Sequence, residues 1–511
     1  MGARQPDLGV VGNSEVSPRT AAPGAAITKK ESRQEQVTRD ARREGERAVV
    51  WTAAALIAVA PALVTLCWTL WRTPYPVNEA VALFEDVARW PSPAGIWIPE
   101  TSYYRPLFHT TLWTIWHTAA SLGTKLALIK LVHIVPLALL VVLLIWQLRP
   151  RRGLEAGAAA LAAAVLIGSP GFRDNVEIPL SYTAVGMPIA LLVWFLANGD
   201  RRWWSGPAIV ALTVAAIGFK EQGLVLVAVI AAAWWTRAPG VSRNTVAALV
   251  AIVVAYVAFR LHWRAKWPLF EQSMGLGFVT LEPGDAAARF GSFPYWMYAY
   301  NSASTIANVL FSEPTSGVFY TVRDLAYGEI QPWRLFNLAS SMALTGVIAW
   351  WGVRSWTSLA QTGVWSPDAR AFVAMLAALL VCGVLSFNYS RDRLGGMAVV
   401  FYAWTAFFAV REAIARLMGA SRARFIVGAV ALLLLAGAWH TRAVGTIEWA
   451  RHTSTSNQRR WLVQLGPRRV EFADRPVYLQ IMESMVEQGT DPAAPRPTRY
   501  PRWLARALGQ P

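Results

Sequence analysis

The stretch AVVWTAAALIAVAPALVTLCWTLW, Ala48 to Trp71, holds no charged residue. As a helix it is long enough to cross about 30 Å of hydrocarbon. Lys29, Lys30, Arg39, Arg42, Arg43 and Arg47 precede it, and such clusters stay on the cytoplasmic side of a span, so the N-terminus is expected in the cytoplasm. The run is too long for a secretory signal and lacks a cleavage site. Residues 1–47 combine Gly, Pro, Ala and charge without an apolar period and read as a disordered tail.

Further apolar runs follow at Leu126–Leu148, Leu154–Ser169, Pro179–Ala197, Trp203–Gly218, Leu224–Thr236, Thr245–Leu261, Leu335–Gly352, Ala371–Phe387, Leu394–Val410 and Phe425–Trp439. Together with the first they predict an all-α polytopic membrane protein of about eleven spans. Arg149/Arg151/Arg152, Arg201/Arg202, Arg237/Arg243, Arg354 and Arg411/Arg416/Arg422/Arg424 fall in alternate loops, which are therefore expected on the cytoplasmic side. The opposite loops, 72–125, 173–177, 262–334 and 388–393, are long or mix acids with bases, and are expected outside. Pro294–Phe311 reads as a surface helix, because a twelfth span would put the most basic loop on the outer face. The C-terminus then lies outside, with 48–440 as the membrane domain of an inner or plasma membrane protein and 441–511 as a small Arg- and Pro-rich outer tail. That tail has one amphipathic stretch, Val477–Glu487, and no helical repeat.

Composition agrees: 55% of the 511 residues are hydrophobic and 15% charged, against roughly a quarter charged in soluble domains. Cys67 and Cys382 lie inside apolar runs and offer neither a disulfide framework nor a zinc spacing. The formal charge of +17 is spread over short inter-span clusters, which is an orientation signal and not a nucleic-acid patch. Tryptophan pairs at segment ends, such as Trp203/Trp204 and Trp234/Trp235, read as an interfacial belt.

The chemistry is expected in the first outer loop, TPYPVNEAVALFEDVARW (73–90) followed by IPETSYYRPLFHTTLWTIWH (98–117), where Tyr104–Ala120 is amphipathic enough for a surface helix. The loop resembles that of the GT-C superfamily of membrane glycosyltransferases, nearest to the protein O-mannosyltransferases and their transmembrane-and-TPR relatives. The resemblance covers roughly Val49 to Arg411. It rests on Asn78-Glu79 where the family has an acidic pair, on Tyr104-Arg105-Pro106-Leu107, on Asp174 and Glu177 in RDNVEIP, and on Lys220-Glu221-Gln222-Gly223 at an outer helix end. Tyr389-Ser390-Arg391-Asp392-Arg393 occupies the last outer loop, where such enzymes place basic residues near the lipid phosphate. The chain departs from the family in Asn78, which stands in place of the first acid, and in the absence of a TPR region.

The resemblance implies transfer of a sugar from a polyprenyl phosphate to a hydroxyl of an acceptor: a protein, lipid or glycan. Such a step needs a base for the acceptor proton and cations for the leaving phosphate. Glu79 is the expected base, with Arg105, Lys220, Arg391 and Arg393 on the donor phosphate and Asn78, Tyr104, Asp174, Glu177 and Glu221 in support. A lipid phosphate can leave with cations alone, so no obligatory metal or cofactor is expected; if a divalent ion takes part, Glu79 with Glu177 would hold it. His109, His117 and His133 lack metal spacing.

Each of these residues also has a purely structural role open to it. Arg105 can anchor its loop through carbonyls or Glu100, Lys220 can pair with Glu221, and Arg391 to Arg393 can snorkel at the interface. Glu85 and Asp86 are the fallback acids. Two other functions compete, a transporter or flippase of a lipid-linked saccharide, and a non-catalytic membrane scaffold. The first would place ionisable groups within spans or show paired repeats, whereas the spans here are almost free of charge.

Overall fold

The computed structural model describes residues 23–72, 84–85, 87–97, 105–177, 182–264, 274–276, 279–281, 284–285, 288, 295–311, 317–329, 332–465 and 476–487. In chain order these form α1 (Pro23–Arg72), α2 (Pro106–Trp116), α3 (Leu122–Leu148), α4 (Gly153–Gly168), α5 (Pro170–Glu177), α6 (Tyr182–Asn198), α7 (Ser205–Phe219), α8 (Val225–Trp235) and α9 (Arg243–Arg264). A hairpin of β1 (Met274–Leu276) and β2 (Val279–Leu281) follows. The remaining helices are α10 (Tyr295–Phe311), α11 (Gly317–Tyr327), α12 (Pro332–Thr362), α13 (Pro367–Leu385), α14 (Gly396–Met418), α15 (Arg422–Leu465) and α16 (Pro476–Glu487).

Among the described residues seven helices, α1, α3, α9 and α12 to α15, are long and apolar enough to cross a membrane. Four shorter apolar helices, α4, α6, α7 and α8, occupy the other segments whose hydropathy marks them as spans. The chain is thus a helical bundle of the multi-pass membrane type. Two of its helices form the centre. α4 reads GLEAGAAALAAAVLIG, and every residue from Ala158 to Gly168 is buried; α14 is buried along one unbroken run from Gly396 to Phe407. Lipid tails are as apolar as leucine, so helices in a membrane associate by close packing, and small side chains permit it. At Gly168 the fit to α15 is so close that a Cβ would stand 3.1 Å from the backbone nitrogen of Ala443.

The basic clusters gather at one end of the bundle. Arg151 reaches Glu44 at 3.8 Å, Trp51 lies against Gly153, and Trp146 packs on Phe195. From there Gly240 donates to the carbonyl of Ala197, Arg370 donates to that of Thr236, Arg411 pairs with Asp368, and Leu417 packs on Gly428. Contacts of the opposite, loop-bearing end run between α2 and α7, α5 and the 392–395 turn, and α16 and residue 85.

The structure revises four expectations. Residues 23–47, read as part of a disordered tail, continue α1 toward the N-terminus; QEQVTRDARREGER is rich in good helix formers and needs no apolar face to prolong a helix already nucleated in the span. Residues 1–22 lie outside the described residues. The boundary placed at 441 falls inside α15, which runs unbroken to Leu465. The surface helix expected over Tyr104–Ala120 is the shorter Pro106–Trp116, started by Pro106 at its first position. The chain expected to be all-α holds one β1–β2 hairpin in its long outer loop, pairing Met274 with Leu281 and Leu276 with Val279. α10 takes up 295–311 of the stretch read as a surface helix and buries Asn301, Ser304, Thr305 and Asn308, a polar face made for protein and not for lipid.

A second, smaller core sits at the loop end. Phe84, Val87, Phe108, Leu112, Ile115, Leu126 and Ile129 close over Val477 and Ile481 of α16. Buried Glu85 accepts from the backbone N–H of Val477 at 3.1 Å, so a carboxylate caps the first turn of α16, where the helix dipole favours negative charge. The C-terminal segment therefore docks at the end where α1 finishes. Glu85→Ala is expected to loosen this docking by about 1–2 kcal/mol, seen as faster limited proteolysis near residue 476 with the remaining bundle intact; an unchanged cleavage rate would contradict the capping role.

Candidate functional site

The polar turn between α7 and α8 joins two short helices. The 15 residues of α7 rise about 22 Å and the 27 of α3 about 40 Å, at 1.5 Å per residue. Lys220 to Gly223 follows the end of the shorter helix. The geometry of the turn depends on two glycines. A Cβ at Gly223 would stand 2.3 Å from the backbone nitrogen of Ile217, and one at Gly218 would stand 2.8 Å from the side chain of Leu107. Gly223 donates to the carbonyl of Lys220 at 2.8 Å, closing the turn as a 3-10 segment.

Leu107 and Arg105 bring the first outer loop down onto this turn. Arg105 grips Glu221 through both edges of a fork: Nε donates to Oε2 at 3.2 Å and Nη2 to Oε1 at 3.0 Å. Bidentate pairing of this kind fixes orientation as well as charge. Burial alone would raise the Glu221 carboxyl, but the charges of Arg105 and Lys220 and the hydrogen bonds from the guanidinium and backbone outweigh it and hold the group at about 2. Lys220 is itself buried. One turn along α2, His109 is buried against Trp90 and Phe108. Burial, reinforced by the Arg105 charge, lowers the imidazole to about 4, so it is neutral at pH 7.

A second polar cluster joins α5, α10 and the 3-10 turn Asp392–Gly395. Buried Arg173 pairs with buried Asp392 at 3.3 Å, and its guanidinium stands 5.0 Å from the Trp449 ring centre. Asn308 donates to the other oxygen of Asp392 at 3.4 Å, and the hydroxyls of Thr305 and Ser390 meet at 3.2 Å. Gly171 lets α5 approach, since a Cβ there would lie 3.1 Å from the Asp392 carbonyl. Both this turn and that of Lys220 to Gly223 touch α13, which sets them at the same end of the bundle.

The structure therefore brings Arg105 to Lys220 and Glu221, which lie more than a hundred residues further along the sequence. Arg391 and Arg393 flank Asp392, half-buried, on the second turn. The α5 backbone brings positions 174 and 177 beside that turn, while the side chains of Asp174 and Glu177 lie outside the described residues, as do Asn78, Glu79 and Tyr104. Sequence reading missed Arg173, Asn308 and His109 as members. Arg173 precedes the acid singled out in RDNVEIP, and its signal was that a lone arginine follows an apolar run at a non-basic end. Asn308 gave none beyond a polar residue in an otherwise apolar helix.

Comparison with protein-family models, with curated proteins and with solved structures returns no match.

Two pH effects follow. His109 takes up a proton at about 6.5 when unfolded and only near 4 in the fold, so the unfolded state binds more protons between those values and stability falls as pH drops through that window. His109→Phe should flatten the decline in unfolding temperature between pH 6.5 and 4. The Glu221 contribution is complete above its unfolded value of 4.5 and is lost only as pH falls toward 2. At neutral pH, Glu221→Gln should cost about 1–2 kcal/mol, less than a fully buried pair because the carboxylate is partly exposed, measured as a lower unfolding temperature in detergent.

Proposed function

We propose that the protein is a membrane glycosyltransferase of GT-C type, crossing the bilayer eleven times with its N-terminus in the cytoplasm, which moves a sugar from a polyprenyl-phosphate donor to an acceptor on the outer face. One observation carries the reading: the two most specific points of the resemblance, Tyr104-Arg105-Pro106-Leu107 and Lys220-Glu221-Gln222-Gly223, meet in space through the Arg105–Glu221 fork and the Leu107–Gly218 contact. Chance matches in a chain of this length have no reason to touch.

On this reading the turn lies where a lipid phosphate at the membrane surface can reach it. Glu221 holds the Arg105 guanidinium in one orientation, and Lys220 adds a second positive charge. Arg391 and Arg393 approach from the neighbouring turn. These cations take the negative charge that grows on the phosphate as the glycosidic bond breaks, while Glu79 receives the proton of the attacking hydroxyl, giving inversion in a single displacement. No metal is needed for that leaving group. Docking of α16 at the end where α1 finishes supports an odd number of crossings when the N-terminus is on the other side.

The test is transfer from radiolabelled polyprenyl-phosphate sugars by purified protein in lipid nanodiscs. Glu79→Gln is expected to lower turnover by about 10²-fold or more, and Arg105→Gln to lower it comparably through lost phosphate stabilisation. Full activity in Glu79→Gln would remove the proposed base, and no transfer from any donor would favour the transporter or scaffold.

A further inference from the structure

Far from the loop end, α12, α14 and α15 enclose a groove of about 560 Å³, open along one side. Gly346 and Trp350 line it from α12, Leu417 from α14 and Gly428 from α15, so its walls are almost wholly apolar. Arg416 and Arg424 border it at the basic end. The groove has its shape because small residues leave space. A Cβ at Gly346 would meet nothing within 4 Å, whereas one at Gly428 would strike the Leu417 side chain at 2.3 Å. Leu417 lodged on Gly428 thus forms the floor, and Gly346 faces open space.

We infer that this groove binds one anionic phospholipid of the leaflet at the basic end, with an acyl chain between α12 and α15 and its phosphate at Arg416 and Arg424. Charge argues for this occupant. Arg416 and Arg424 line the groove, Arg354 stands over its Trp350, and Glu412 is engaged with Arg416 at 2.8 Å. Arg424 makes no ion pair among the described residues. Trp350 sets the depth of the head group: the guanidinium of Arg416 stands 5.7 Å and that of Arg354 5.8 Å from its ring centre, an amphipathic ring at the level where tryptophan meets lipid head groups. A second copy of the chain is a poorer occupant, because a symmetric contact here would bring the two arginine clusters face to face. A neutral lipid would leave the arginines without a counter-charge.

The experiment uses the full chain in phosphatidylcholine nanodiscs doped with phosphatidylglycerol or phosphatidylcholine carrying a photoreactive acyl chain, with labelled peptides mapped by mass spectrometry. Phosphatidylglycerol is expected to label the α12 and α14 peptides roughly ten-fold more than phosphatidylcholine, from two arginines acting on one phosphate. The double variant Arg416→Gln/Arg424→Gln should bring labelling to the phosphatidylcholine level, and Arg416→Lys/Arg424→Lys should largely preserve it. Gly346→Leu, whose Cβ meets nothing within 4 Å and whose branch projects into the groove, should suppress labelling by both lipids while the unfolding temperature holds. Equal labelling by the two lipids, insensitivity to the arginine changes, or protein–protein crosslinks through these peptides would each overturn the inference.

Discussion

The fork between Arg105 and Glu221 is the interaction on which the loop end depends. A buried charge such as that of Lys220 is costly unless it is compensated. The first outer loop meets the turn between α7 and α8 and supplies partners there. Leu107 on Gly218 provides the contact and Arg105 the counter-charge. Once α2 is held there, its apolar face, Phe108, Leu112 and Ile115, has a fixed place, and α16 can close over it with Val477 and Ile481. One ion pair thereby positions a loop helix, a satellite core and the C-terminal segment in succession.

The second constraint is the thinness of α4. Alanine and glycine over most of its length let α1, α3, α14 and α15 crowd around it, and that crowding sets how near α5 comes to the 392–395 turn. The helix ends at Gly168 against α15 and the chain turns directly into α5, so Gly171 and Arg173 arrive at Asp392 without an intervening loop. Arg173 is then neutralised by Asp392 and backed by the Trp449 ring. Burying that pair requires both partners and the Asn308 amide; removing one would leave a charge without compensation.

Legibility in the sequence followed the strength of the physical signal. Long spans are legible because a membrane demands long apolar runs, whereas the short run after Gly223, helical over eleven residues in α8, is a weak point of the span count. The end at which each loop lies was legible from arginine placement, since the Arg151, Arg370 and Arg411 contacts all fall at the end where the clusters were expected. Helix limits outside the lipid were less so. Nothing in the composition of 23–47 forbids helix, and nothing around residue 441 marks a boundary, because a long helix continues wherever no breaker stops it. At the site, Lys220, Glu221 and Arg105 were singled out, but their pairing was not. The alternatives weighed were local, Glu100 for Arg105 and Lys220 for Glu221, and the partner chosen by the fold is 116 residues away in sequence. Periodicity carries no information about such contacts.

The distribution of buried charge also bears on the competing functions. Among the described residues, buried Glu85, Lys220, Arg173, Asp324, Arg334 and Asp392 all belong to the loop end, and each lies in a connection or at a helix terminus. Buried Arg442 of α15 stands beside Gly168, where α4 gives way to α5. Its Nη1 donates to the carbonyl of Asn337 and to the hydroxyls of Ser340 and Ser341 on α12, and its guanidinium stacks on Trp439 at 3.9 Å. An ion that serves transport must exchange partners with water or substrate along a path. Arg442 acts as a staple between α12 and α15. The charges that face one another across different connections are those of the loop end, Arg105 with Glu221 and Arg173 with Asp392.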